Sequence, residues 1–133
     1  MKKIKIIELD GYAANPGDLS YEVFEQLGEF VVYPRTKDED VVERAKDADA
    51  ILINKVNIDG DVMDALPKLK YIGILATGYN VVDLNATRKR NITVTNVPAY
   101  STNSVVQLTW ALILEQTCNL ELHNQSVKNG DWI

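Results

Sequence analysis

The chain has 133 residues, of which 46% are hydrophobic and 25% charged, and its formal net charge is −5. That length suits one compact domain with an appendage and excludes a second full domain, while the ordinary composition gives no case for disorder. No apolar run approaches the roughly 18 residues that span a bilayer, and the negative charge opposes nucleic acid as a partner, because such binding neutralises phosphates with Lys and Arg.

The opening Met1-Lys2-Lys3-Ile4-Lys5-Ile6-Ile7-Glu8-Leu9-Asp10 has the basic start of a signal peptide, but Lys5 and Glu8 interrupt its apolar section. It reads as a strand near Ile4 to Leu9. A helix near Ser20 to Leu27 follows, with Gly28 suited to a left-handed helix end, and then a strand near Phe30 to Tyr33. Thr36-Lys37-Asp38-Glu39 has capping-box spacing before a helix near Glu39 to Lys46. Strands near Ala50 to Ile53, Tyr71 to Leu75 and Thr93 to Thr95 alternate with helices near Gly60 to Leu66 and Leu84 to Lys89. Asp83 is placed to accept from the first free amides of the latter helix, and the basic cluster Arg88, Lys89 and Arg90 complements its carboxyl end. Ser104-Val105-Val106-Gln107 repeats the capping-box spacing and opens a helix through about Lys128, with Gly130 placed to end it. Short apolar strands separated by helical segments specify a parallel sheet with crossovers, so the fold class is α/β with a flavodoxin-like five-stranded sheet.

On that sheet four loops converge at the carboxyl edge: Asp10-Gly11-Tyr12, Asn54-Lys55-Val56, Ala76-Thr77-Gly78-Tyr79 and Asn96-Val97-Pro98-Ala99-Tyr100. Open α/β sheets bind ligands there. Ala76-Thr77-Gly78 carries the sharpest chemistry, since Gly lets a ligand approach the backbone closely and consecutive amides form an anion-binding nest. A carboxylate fits such a nest. The plainer reading is a strand-to-helix turn that needs Gly for conformation alone. Lys55 either attracts an anionic substrate or is a solvated surface lysine, and Tyr79 and Tyr100 either line the cleft or simply pack with their hydroxyls outward.

The stretches Ile74-Leu75-Ala76-Thr77-Gly78-Tyr79-Asn80-Val81-Val82-Asp83 and Val94-Thr95-Asn96-Val97-Pro98-Ala99-Tyr100-Ser101-Thr102-Asn103-Ser104-Val105 are specific in wording. They resemble the D-isomer-specific 2-hydroxyacid dehydrogenases, particularly the hydroxypyruvate reductase or glycerate dehydrogenase branch. The resemblance is weak up to about Val56 and strong from Leu69 to Trp132. It implies a substrate-binding domain over residues 1–97 and, over 98–133, a linker and the first helix of a truncated dinucleotide-binding domain. It also implies that Ala76, Thr77 and Gly78 hold the substrate carboxylate and that Thr77 and Thr102 border the NAD or NADP of the complete enzyme.

Other expected parts are missing. No G-x-G-x-x-G occurs among the seven scattered glycines, so no phosphate-binding turn opens a helix, and the chain alone should not hold NAD or NADP. In the family resembled, the acid-base His, its Glu partner and the clamping Arg lie beyond Ile133. Catalytic roles therefore pass to no residue here. His123, the only histidine, lies late in a helix and far in sequence from every strand-end loop, so it reads as a helix-face residue; no metal cluster is expected. The lone Cys118 cannot form an internal disulfide, reads as a buried thiol in an apolar helical run, and with the missing leader favours the cytoplasm.

Val105, Leu108 and Leu112 mark one apolar stripe of the last helix, while Val106, Trp110, Ile113 and Leu114 carry apolar character around it. A helix apolar on most sides is buried on most sides, so the expectation is a partner chain, with a homodimer through residues 104–128 favoured, or an exposed patch left by a missing domain. The functional expectation is the substrate-binding domain of an oxidoreductase interconverting a small D-2-hydroxy acid and its 2-keto acid, inactive as this fragment. The alternative is a non-enzymatic ligand-binding or dimerisation module. A phosphoacceptor receiver lacks support because Asn54 and Lys55 follow Ile53 where the phosphorylated Asp would stand, and a flavodoxin because Asp10-Gly11-Tyr12-Ala13 repels phosphate.

Overall fold

The computed structural model describes residues 3–131. Five strands, β1 (Ile4–Glu8), β2 (Gly28–Val32), β3 (Ala50–Ile53), β4 (Tyr71–Ile74) and β5 (Thr93–Thr95), form one sheet in the order β2-β1-β3-β4-β5. Every pairing is parallel. This is the flavodoxin-like order expected from the alternation of strands and helices.

The crossovers are α1 (Gly11–Ala14) with α2 (Glu22–Leu27), a 3-10 turn at Asp38–Asp40 running into α3 (Val41–Ala45), α4 (Gly60–Asp64) and α5 (Leu84–Lys89). Alternate strand residues face opposite sides, and one side carries Ile7, Ile51, Ile53, Ile72 and Ile74 against Val41, Met63, Leu66 and Ala86 from the helical crossovers. Each such side chain fully withdrawn from water contributes roughly 1.5 to 3 kcal/mol. The opposite side is covered less completely, and Ile4, Ile6, Leu52 and Tyr71 leave a groove of about 420 Å³ beside Phe24 and Leu27 of α2.

Two local expectations hold. Asp83 Oδ1 accepts from the amides of Asn85 and Ala86 at 2.9 and 3.0 Å, and Gly130 ends its helix at φ 80°. Others need correction. Gly28 is extended at φ 177° and opens β2, so it does not form a left-handed cap; it is small because a Cβ there would lie 2.1 Å from the Ile4 carbonyl oxygen. Thr36 makes no capping box, since its hydroxyl accepts from Arg44 Nη1 at 2.9 Å. The helix near Ser104 to Lys128 is in fact two, α6 (Thr102–Cys118) and α7 (Leu120–Asn129), separated by Asn119 at φ 48° and ψ 49°. Asn enters the left-handed region more readily than other side-chain-bearing residues, and the left-handed turn breaks the helix there. α6 begins at Thr102 with Ser101 as its N-cap, so Ser104 lies inside the helix and its capping box does not form.

By internal contacts the chain divides into a unit Met1–Pro98, which holds the whole sheet, and a unit Ala99–Ile133, which holds α6 and α7. No helix among the described residues is long and apolar enough to cross a membrane.

Candidate functional site

The parallel sheet brings the ends of β1, β3, β4 and β5 to one edge, and specific bonds fix their loops. Asp10, 7% exposed, lies two residues past β1, and its carboxylate accepts the backbone amides of Asn54, at 2.8 Å, and Lys55. This latch joins the first and third loops. Asn54 Nδ2 reaches the Leu75 carbonyl at 3.3 Å, tying the third loop to the end of β4. The β4 and β5 loops are joined in turn: Thr77 Oγ1 donates to the Val97 carbonyl at 3.1 Å, Asn96 Nδ2 donates to the Thr77 carbonyl at 2.8 Å, and the Val97 amide donates to the Ala76 carbonyl at 3.1 Å.

These bonds consume carbonyls of the Ala76-Thr77-Gly78 turn but not its amides. Among the described residues no backbone or side-chain acceptor takes the N–H of Ala76, Thr77 or Gly78. Ala76 is buried, whereas Thr77 and Gly78 are exposed. Three consecutive donors left open in a fixed turn favour an anion. Gly78 sharpens the point: its φ is not left-handed, and an added Cβ would meet only Asn80 Oδ1, at 3.3 Å. Conformation does not require glycine here. What glycine provides is an unobstructed backbone, which a ligand can approach closely.

Lys55 is exposed on the β3 loop and lines a crevice with Asp10, Tyr12, Pro34 and Arg35, not with the Ala76-Thr77-Gly78 turn. Tyr79 is exposed beside the turn. Thr102 opens α6 and Tyr100 precedes it, both exposed in the second unit. His123 is exposed on α7. Cys118 is exposed at the end of α6, correcting the expectation of a buried thiol.

Sequence reasoning missed two carboxylates. Asp10 was placed in a loop at the carboxyl edge and counted as a charge that repels phosphate, but not as the link between two loops that its bonds to two amides make it. The signal was an Asp directly after an apolar strand, but its partners lie 44 and 45 residues away. Glu8, 1% exposed, has no hydrogen-bond partner of normal geometry for either Oε. Burial pushes its pKa up, the nearby Tyr21 hydroxyl pulls it down, and the Asp10 charge raises it further.

Residues 13–127 match the D-isomer specific 2-hydroxyacid dehydrogenase catalytic domain. The chain is 45% identical over 132 residues to a hydroxypyruvate reductase of Blautia hydrogenotrophica, covering 97% of the chain and 41% of that protein. It is 37% identical over 94 residues to a glycerate dehydrogenase of Methylorubrum extorquens, covering 71% and 30%. Its backbone resembles that of a 2-hydroxyacid dehydrogenase of Ketogulonicigenium vulgare, with a TM-score of 0.76 and 26% identity over 99% of this chain and 41% of the other. It also resembles an NAD+-bound 3-phosphoglycerate dehydrogenase of Entamoeba histolytica, with a TM-score of 0.70 and 30% identity over 85% and 39%. The chain thus spans about two-fifths or less of the length of these proteins. The family match and the likeness in sequence and backbone agree: the chain belongs to the D-isomer-specific 2-hydroxyacid dehydrogenase family.

Proposed function

We propose that this chain is the acid-binding part of an NAD(P)-dependent oxidoreductase that interconverts a small D-2-hydroxy acid and its 2-keto acid, of the glycerate and hydroxypyruvate kind. The observation that carries this reading is the open row of amides at Ala76, Thr77 and Gly78. Those three donors hold the substrate carboxylate, while Lys55, on the neighbouring β3 loop, lines a separate crevice. Fixing the carboxylate orients C2, and orientation is a large part of what a binding domain gives a bimolecular reaction.

In the complete enzyme a bound nicotinamide would supply or accept the hydride at C2. The residues present fit one border of that group: Gly78 leaves its side open, and the Thr77 hydroxyl, fixed by its bond to Val97, is exposed. Thr102 is the second cofactor residue in this reading. Nothing in the chain fits the diphosphate, because none of its seven glycines belongs to a G-x-G-x-x-G turn. The isolated chain therefore binds no NAD or NADP and gives no steady loss of NADH absorbance with hydroxypyruvate. Steady turnover would overturn that part of the reading.

The acid site itself is tested by binding. In nitrogen-15 NMR of the chain, hydroxypyruvate should shift the amides of Ala76, Thr77 and Gly78 saturably. Gly78→Val should weaken that binding about tenfold or more, by obstructing donors whose charge-assisted bonds are the strong kind, while its thermal unfolding stays cooperative. A folded Gly78→Val chain that binds as tightly as the unmodified one would leave the turn with a structural role alone.

A further inference from the structure

We propose that a second anion site, independent of the Ala76-Thr77-Gly78 turn, lies at the carboxyl ends of β1, β2 and β3 and takes a small oxyanion, carboxylate or phosphate, on Arg35 and Lys55. The strand order places this site. From β1 the chain crosses outward to β2 and then back past β1 to β3, so the connections on either side of β1 leave in opposite directions. Open α/β sheets form their ligand crevices at such a reversal, whereas the proposed acid-binding turn follows β4, beyond β3. A crevice of about 360 Å³ is present beside the reversal, built from the loops after all three strands.

The chemistry of its walls selects an anion. Arg35 and Lys55 both line it, and among the described residues neither side chain has an ion-pair or hydrogen-bond partner. The Arg35 guanidinium stands 4.9 Å from the centroid of the Tyr12 ring, a stacking contact that holds the planar fork in place without using its donors. Two carboxylates share the crevice. Asp10 is engaged by the amides of Asn54 and Lys55, which hold its oxygens away from Arg35. Asp38 is exposed, so cations and carboxylates balance in formal charge, and what the crevice offers an anion is the uncommitted donors of Arg35 and Lys55. Guanidinium and ammonium together match an oxyanion, the fork taking two oxygens and the lysine acting as a point charge. The Tyr12 ring and Pro34 give the ligand an apolar wall.

The test is nitrogen-15 NMR of the chain titrated separately with inorganic phosphate and with butyrate. Saturable shifts at Tyr12, Lys55 and the Arg35 Nε–H are expected with at least one probe at millimolar concentration, and the probe that saturates identifies the oxyanion. Arg35→Met should weaken the binding about tenfold, and Arg35→Lys should restore part of it, because the charge returns without the fork. Gly78→Val should leave it unchanged, which separates this site from the proposed acid-binding turn. Shifts that never saturate, an Arg35→Met chain that binds like the unmodified one, or binding lost in Gly78→Val would each overturn the inference. Arg35 is exposed and its guanidinium holds no structural hydrogen bond, so these variants keep the fold.

Discussion

Asp10 and Glu8 are both buried at the carboxyl end of the first strand, and their surroundings give them opposite consequences. Asp10 accepts two backbone amides; Asp10→Ala leaves those donors without an acceptor in a partly buried place, which costs about 2 to 3 kcal/mol. A drop of that size in urea-derived stability, with native-state exchange fastest at Asn54 and Lys55, is the expected result. Glu8 has no such compensation, and burial raises its pKa above the ordinary 4.5. The folded state therefore keeps the Glu8 proton to higher pH than the unfolded chain does. Its contribution to stability is fully present below about pH 4.5 and is lost as pH rises through the folded-state pKa. Glu8→Leu removes this term, so the variant should gain stability relative to the unmodified chain as pH rises from 4.5 toward neutrality. The comparison must be the difference between the two curves, because Asp47 and Asp64, held by Lys68 and Arg90, have lowered pKa values and change stability in the opposite sense. Equal slopes would show that Glu8 is not the titrating group. Neither role was legible in the sequence: Asp10 meets its partners across the sheet, and the burial of Glu8 follows from Tyr21 and β2 closing over it.

The elements themselves were far more legible, since apolar runs such as Ile51-Leu52-Ile53 and Tyr71-Ile72-Gly73-Ile74 state their own burial, and Asp83 names the start of α5. Misreadings fell where a residue type has two uses. Gly28 follows a helix, which suggests a left-handed cap, but its real constraint is the approach of the Ile4 carbonyl from the neighbouring strand. Only pairing reveals that contact. Gly28→Ala should be tolerated by the backbone angles and rejected by the register of β1 with β2, where Ile4 faces Gly28. Overpacking of this kind costs about 1 to 3 kcal/mol, and the loss should appear as a lower urea midpoint with faster amide exchange in β1 and β2. An unchanged midpoint would mean that the two strands separate without penalty. Asn119 shows the same ambiguity in the last helical stretch. A single Asn in a good helical pattern is a weak break, and its left-handed conformation is a choice that propensity does not announce.

At the scale of the whole molecule, the sheet unit satisfies its own core on one face, whereas α6 has little to satisfy it within its own unit. Val105, Leu108, Trp110, Leu112, Ile113 and Leu114 are all exposed, with Trp110 at 59%. These side chains are spread around the helix and not gathered on one stripe, so α7 alone cannot cover them. The sequence showed this directly, because apolar positions on every side of a helix need no tertiary knowledge to be counted. The consequence we predict is self-association, since withdrawing several such side chains from water yields roughly 1.5 to 3 kcal/mol each, enough to exceed the entropy lost when two chains pair. A symmetric dimer is the simplest closed product. Sedimentation of the chain at micromolar concentration should give a dimer, and substituting Trp110 and Ile113 together by Glu should give monomers with unchanged sheet content. A chain that is already monomeric and binds no hydrophobic dye would require that α6 be covered within a single molecule, and the pairing would then be wrong.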